Sequence, residues 1–222
     1  HAPENARPSL LKINGQEVFL RGANWVPLSS YFGGVSRDKY RATLLQYKRM
    51  NVNILRVWGG GILEKTDFYD LCDELGILVW QEFPLSSSGL SDYPPFEEET
   101  ISLLSKIAAS MVRRRCHHVS HILWSGGNEL AKGFDGGMEG RDIPIDLDHP
   151  LIAEFNRIVS QFDPNKKFIP TSGHGPRAFA NAKDYGKGLH HDVHGPWAYL
   201  GPKNHYEYYN KDDSLWRSEV GV

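Results

Sequence analysis

Seven apolar, strand-like runs, alternating with helical stretches or loop-rich connections, predict an α/β fold, a (β/α)₈ barrel of the TIM class, with about seven of its eight strands in this chain of 222 residues. Most of these runs are nearly continuous in Val, Ile, Leu and Trp, the pattern of strands buried on both faces of a parallel sheet. Several also end in glycines or a polar residue, where a barrel strand leaves the packed interior. Parallel strands joined by helices require right-handed crossovers, and seven such units in one domain favour a closed barrel over an open sheet.

Leu10 to Leu20 alternates about Asn14-Gly15, a hairpin signal, and its second arm is expected to run on through Phe19–Trp25 as the first core strand. Ser36 is placed to cap a helix carrying Tyr40, Leu44 and Tyr47 at helical spacing. Asn53 to Trp58 reads as the second strand, stopped by Gly59-Gly60-Gly61. Phe68, Leu71, Cys72 and Leu75 then mark a helix face closed by Gly76, and Ile77 to Phe83 is the third strand. A helix over roughly Phe96 to Arg115 has three glutamates at its start and three arginines at its end, both complementing the helix dipole.

His121 to Glu129, H-I-L-W-S-G-G-N-E, is the fourth strand running into a polar tip. A polar, glycine-rich insertion from Leu130 to Asp148 follows, longer than most connections in a compact domain. Pro150 opens the next helix, which ends at Asp163-Pro164. Phe168–Thr171, Leu189–His194 and Leu215–Val220 are read as strands five to seven, with no strong helix before the sixth and a short one at Tyr206–Tyr209 before the seventh.

Composition bounds function by exclusion. A net charge of −2 offers no field for nucleic acid or an anionic membrane, and no run of 18 apolar residues exists to span one. Cys72 and Cys116 lack C-x-x-C spacing and read as core or free thiols. The opening H-A-P-E-N-A-R-P-S carries no targeting signal, so a single domain, itself a piece of a longer chain, is the expectation. Aromatic residues make up 12%, which suits a site that stacks on sugar faces.

Glu129 ends the fourth strand and Glu219 the seventh, so a barrel brings both to its C-terminal rim. Two facing carboxylates are what glycoside hydrolysis needs. One gives a proton to the leaving oxygen while the other meets the developing positive centre. Glu82 and Asp192 also end strands and are the competitors for those roles. His190 and His194, four apart on one strand, lack a third ligand motif, so no metal is expected. Gly59-Gly60-Gly61 lacks the Lys-Ser/Thr of a phosphate loop. Trp124 and Trp216 lie inside strands and read as packing, whereas Trp25, Trp58 and Trp197 follow strand ends and read as sugar platforms.

F-L-R-G-A-N-W-V-P (Phe19–Pro27), L-R-V-W-G-G-G (Leu55–Gly61), F-Y-D-L-C-D-E-L-G-I-L-V-W-Q-E-F (Phe68–Phe83), G-N-E (Gly127–Glu129), D-V-H (Asp192–His194) and S-E-V-G (Ser218–Gly221) occur in this order. Together they resemble the catalytic barrel of glycoside hydrolase family 2, in its β-mannosidase-like branch. The resemblance implies one catalytic domain over residues 1–222, incomplete at its C-terminus and without flanking β-sandwiches. It also implies a retaining, cofactor-free hydrolase of terminal β-linked hexosides, above all β-mannosides.

By that resemblance Glu129 is the acid/base, Glu219 the nucleophile and Asn128 a partner of the sugar 2-hydroxyl. Arg56 lies against the nucleophile, His194 near the pair, and Asn24, Trp25, Trp58 and Trp197 contact sugar. The family's usual Phe after the nucleophile is Val220 here, and L-A-K-G-F-D-G-G-M after the acid/base matches no specificity pattern. Rival readings are another β-glycosidase of the family (exo-β-glucosaminidase, endo-β-mannosidase or β-galactosidase-like) or an inactive sugar-binding fragment. The expected partner is an oligosaccharide or glycoside. An extracytoplasmic, periplasmic or lysosome-like compartment suits the parent. Open barrel edges are expected to allow self-association and to slow hydrolysis by the isolated piece.

Overall fold

The computed structural model describes residues 11–86, 93–133 and 142–221. The opening nonapeptide, Leu10 of the predicted hairpin, the F-D-G-G-M part of the insertion beyond Gly133 and Val222 lie outside them. Strands β1 (Leu11–Ile13) and β2 (Gln16–Val18) form the hairpin. Asn14 (φ 52°) and Gly15 (φ 81°) both adopt the left-handed conformation that a tight two-residue turn requires. The second arm does not continue into the barrel, contrary to the expectation. The Asn53 side chain captures both the carbonyl of Phe19 and the N–H of Arg21, each at 2.8 Å. This turns the chain before the first barrel strand, β3 (Gly22–Trp25).

Strands β3, β4 (Ile54–Val57), β5 (Leu78–Glu82), β6 (His121–Ser125) and β7 (Lys167–Ile169) form one parallel sheet in that order. A short β8 (Gly175–Pro176) pairs antiparallel with β9 (His190–His194), and β9 pairs parallel with β10 (Trp216–Glu219). β3 to β7, β9 and β10 are the seven barrel strands read from the sequence. The fifth is shorter than expected, because Pro170 has no N–H for the ladder.

Helices α1 (Arg37–Arg49), α2 (Thr66–Leu75), α3 (Glu98–Arg115), α4 (Pro150–Phe162) and α5 (Pro202–Lys211) lie between the strands. Ser36 caps α1 by accepting the N–H of Lys39, and Gly76 ends α2 at φ 68°. α5 is longer than its apolar pattern suggested, and none of its residues is buried, so periodicity had little to report there.

The core has three parts. Trp25, Tyr40, Leu44, Leu55 and Phe68 fill the space between β3, β4, α1 and α2. Phe83, Met111, Trp124 and Phe155 do the same between β5, β6, α3 and α4. Ile54, Trp80, Leu123 and Ile169 fill the barrel itself, with Trp216 packed against them. Each fully buried Leu or Phe here stabilises the fold by roughly 1.5–3 kcal/mol. Trp124 and Trp216 are packing residues, as expected: Trp124 stacks on Phe83 at 5.2 Å and Trp216 tilts against Trp80 at 5.4 Å.

Cys72 is buried, and it and Cys116 are both free thiols. The arginine run does more than offset a dipole, since Arg113 covers the Phe162 ring and Arg115 the Tyr69 ring. No described helix is long and apolar enough to cross a membrane. Among the described residues β3 and β10 do not pair. A groove of about 720 Å³ runs between them, with Ile54, Trp80 and Trp216 among its lining residues.

Candidate active site

The C-terminal ends of the parallel strands converge on Arg56, which projects from β4 and is 3% exposed. Its Nε and Nη2 donate to the two carboxylate oxygens of Glu82, each at 3.0 Å, a two-pronged pair that fixes the guanidinium plane. The guanidinium also reaches residues on or just past four other strands, β3, β10, β6 and β7. Nη1 donates to Asn24 and to Glu219, both at 2.9 Å, and Nη2 donates to the amide oxygen of Asn128 and to the Ser172 hydroxyl, the latter at 2.8 Å. Burial on its own would lower the Arg56 pKa, but Glu82, and then Glu219, more than offset it, so the pKa is raised and the charge is held.

Glu82 is 1% exposed, and its Oε2 also accepts the N–H of Gly59 at 2.8 Å. A side chain at Gly59 would collide with the carbonyls of Leu85 and Phe83. The first glycine of the W-G-G-G motif is thus set by the close approach of β4 to the end of β5. Glu82 is thereby removed as a competitor for a catalytic role, since its carboxylate is committed to Arg56 and closed to solvent.

The glycines of the G-G-N-E motif have the same cause. A Cβ at Gly126 would lie 2.2 Å from the Pro170 carbonyl, and one at Gly127 would lie 2.7 Å from that of Leu85. With no side chains there, the end of β6 slips between its neighbours, and Asn128 bridges to Ser86 on one side and to Ser172 on the other. Glu129 follows in the left-handed region (φ 52°), an uncommon and mildly costly conformation for a residue with a Cβ. That turn carries its carboxylate to His194, whose Nδ1 lies 2.9 Å from Oε1.

Glu219 ends β10. Arg56 donates to its Oε2, and the indole N–H of Trp197 donates to Oε1 at 3.1 Å. A carboxylate oxygen of Glu129, one of Glu219 and a ring nitrogen of His194 all lie within 4.8 Å of one another. Glycoside hydrolysis needs two carboxyl groups facing one another across the scissile bond, and the two carboxylates here face each other at close range. The same spacing would suit a cation, but here the Arg56 guanidinium already supplies positive charge to Glu219. His190 faces Asp213 and His194 faces Glu129, so the two histidines do not converge on one ion.

The structure therefore groups Glu129, Glu219, Asn128, Arg56, His194, Trp197 and Asn24. Trp58 sits just past β4 and half-buried, with its ring lying over Gly60. Trp25 is a correction. It is 2% exposed, packs its ring against Phe68 at 4.7 Å and donates its indole N–H to the buried Glu64, so it is a core residue and no sugar platform. Asp192 is also corrected as a catalytic competitor, being wholly buried and fully engaged in hydrogen bonds. Ser172 was missed; its signal is the polar Thr-Ser-Gly that ends the fifth strand.

The model of "Glycosyl hydrolases family 2, TIM barrel domain" matches residues 5–143. A mouse beta-mannosidase is 37% identical over 171 residues, covering 73% of this chain and 19% of the mouse protein. Beta-mannosidase B of Aspergillus clavatus is 27% identical over 99% of this chain and 26% of its own length. The crystal structure of a beta-D-mannosidase from Dictyoglomus thermophilum superposes with a TM-score of 0.71 at 27% identity, over 93% of this chain and 27% of that one. The chain thus spans about a quarter or less of the length of these relatives. With the matched model covering more than half of its residues and the rim built as described, this chain belongs to glycosyl hydrolase family 2, as part of that family's TIM-barrel domain.

Proposed function

We propose that the rim formed by Glu129 and Glu219 is the catalytic centre of a retaining β-mannosidase. The single observation that carries the reading is the approach of oxygens of the two carboxylates to within 4.8 Å, with the His194 ring nearer Glu129 and the Arg56 and Trp197 donors on Glu219. Glu219 accepts from Arg56 and Trp197, one donor on each oxygen, and is the nucleophile; Glu129, beside His194, is the acid/base. The β-mannosidases among the similar proteins support the substrate class.

In the first step a Glu219 oxygen attacks the anomeric carbon, the bond from that carbon to the leaving oxygen breaks, and the Glu129 proton goes to the departing oxygen. In the second step Glu129 takes a proton from water, whose oxygen attacks the same carbon and releases the Glu219 carboxylate. Asn128, its amide oxygen held by Arg56, presents its NH₂ group near the sugar 2-hydroxyl, where a hydrogen bond strengthens in the transition state.

The test uses the complete gene product that carries this sequence. It is assayed on a panel of aryl β-glycosides and treated with a 2-fluoro mannosyl inhibitor that traps the glycosyl-enzyme. Fastest turnover of the mannoside and stoichiometric labelling of Glu219 are expected. Preference for a glucosaminide or galactoside would reassign the sugar, and an active enzyme labelled on another carboxylate would overturn the assignment of roles.

A further inference from the structure

The barrel has a seam. β7 closes the five-stranded sheet and β9 belongs to the next one, with no ladder between them among the described residues. The nucleophile strand is irregular as well. β10 takes three residues, from Trp216 to Glu219, to pass the two from Asp192 to His194 on β9. Such a bulge leaves an amide without its ladder acceptor, here one position before Glu219.

A buried carboxylate answers both defects, beside a direct contact in which the Gly173 N–H donates to the Ser218 hydroxyl at 3.3 Å. Oδ1 of Asp192 accepts the N–H of Ser218 at 3.1 Å. Its Oδ2 accepts the N–H of Gly173 at 2.8 Å and that of His174 at 3.3 Å, and faces the Nδ1 of the His174 ring at 3.1 Å. Gly173 lies in the left-handed region (φ 66°), where a Cβ would press against the Ala178 carbonyl and the His194 ring. We propose that Asp192 is a positioning residue for the nucleophile: its carboxylate stands in for the missing ladder acceptor and ties the Ser218–Glu219 segment to the loop after β7.

Burial on its own would raise the Asp192 pKa, but the His174 hydrogen bond and charge, with those of its other partners, bring it down to about 2. The carboxylate is thereby held ionised well below neutral pH. Asp192 touches no substrate in this scheme. It acts through Glu219, and the inference rests on the reading of Glu219 as nucleophile.

Asp192→Asn keeps the volume and one acceptor oxygen but turns an NH₂ group toward the donors of Gly173 and His174. In the complete gene product we expect kcat on an aryl β-mannoside to fall about 10–100-fold, since misplacement by about 1 Å costs on the order of a hundredfold. KM should change by less than about threefold, and labelling of Glu219 by the 2-fluoro inhibitor should slow in step with kcat. Rates are normalised to the folded fraction, so lost stability alone would leave both constants at the wild-type value. Wild-type kcat and labelling in folded Asp192→Asn would overturn the inference. Should that variant not fold, His174→Asn, which alters the ring donor and spares the Ser218 contact, decides: reduced kcat at constant KM supports the tie, and wild-type kcat overturns it. A wild-type protein that turns over none of the glycosides would overturn the function reading and this inference together, whereas wild-type turnover undiminished by the substitution overturns this one alone.

Discussion

Arg56→Met is expected to unfold the barrel far more readily than its own lost contacts suggest, because it strands Glu82. The Glu82 side chain is 0% exposed and its carboxylate has two guanidinium donors and one backbone N–H. Removing one partner of a buried pair costs about 3–5 kcal/mol, mostly from leaving the other charge uncompensated. Against a total stability of about 5–15 kcal/mol, that is a large fraction. Glu82→Gln strands the cation less completely, because Glu219 still faces Arg56. The double variant Arg56→Met/Glu82→Gln removes both charges and keeps an oxygen for the Gly59 N–H. It should recover at least about 2 kcal/mol relative to the sum of the singles.

Activity should behave differently. Arg56 is also the donor to Glu219 and to Asn128, and removing one preorganised donor costs about 10²–10³-fold in kcat. The double variant should therefore regain stability and not rate. Denaturant unfolding at pH 7 beside hydrolysis of an aryl mannoside measures both. Arg56→Met losing less than about 1 kcal/mol, or a double variant no more stable than additivity predicts, would refute the argument that the pair is held by mutual neutralisation.

Other outcomes follow from the same contacts. Glu129→Ala should slow glycosides with poor leaving groups most, since good ones need little protonation, and equal losses across a leaving-group series would show that it is not the acid. Trp25→Ala should cost about 3–5 kcal/mol in a denaturation experiment, whereas Trp197→Ala, half-exposed at the rim, should cost under about 1 kcal/mol and impair turnover. The reverse ranking would contradict their placement. Burial, with the nearby Lys166 charge, pushes the His121 pKa down to about 3. The unfolded chain takes up that proton near pH 6.5, so the His121 contribution to stability should be level above about 6.5 and fall as pH drops from there toward 3. Replacing His121 by Gln should flatten that slope by up to about 1.4 kcal/mol per pH unit, and identical slopes would show that His121 is not held neutral.

Much of this architecture was legible because parallel barrel strands write themselves as continuous apolar runs. Leu55, Val57, Val79 and Leu123 are buried whichever face they take, so length and bulk alone found the strands. Strand ends were legible where a polar residue follows an apolar stretch, as Asn128 and Glu129 follow Ile122–Trp124, and less so at Glu219, whose strand also holds Arg217 and Ser218. Side-chain direction was not legible. Trp25 and Trp197 each follow a strand-like run, yet one turns its indole inward to Glu64 and the other across the rim to Glu219. No local pattern distinguishes them, since the deciding partners lie 39 and 22 residues away. Glu82 and Asp192 carry the same lesson with opposite sign. Strand-end carboxylates earned them candidacy, and only the donors brought in by other strands show that they hold Arg56 and Ser218 in place.

Under the roles proposed above, the arrangement also lets Glu219 be bound by an arginine and still act as a nucleophile. A carboxylate held by both prongs of a guanidinium has its charge spread into two strong hydrogen bonds and little left to offer carbon. In this site the two-pronged pair goes to Glu82, and Glu219 receives a single N–H from Arg56 on one oxygen and a neutral indole N–H on the other. Among the described residues each oxygen accepts one hydrogen bond, with the His194 ring 3.8 Å from Oε2. Glu82 thus absorbs most of the arginine's charge, and the plane that it fixes aims Nη1 at Glu219 and Nη2 at Asn128. The nucleophile and the residue assigned to the 2-hydroxyl are in this way set against each other by one rigid group, buried beneath both.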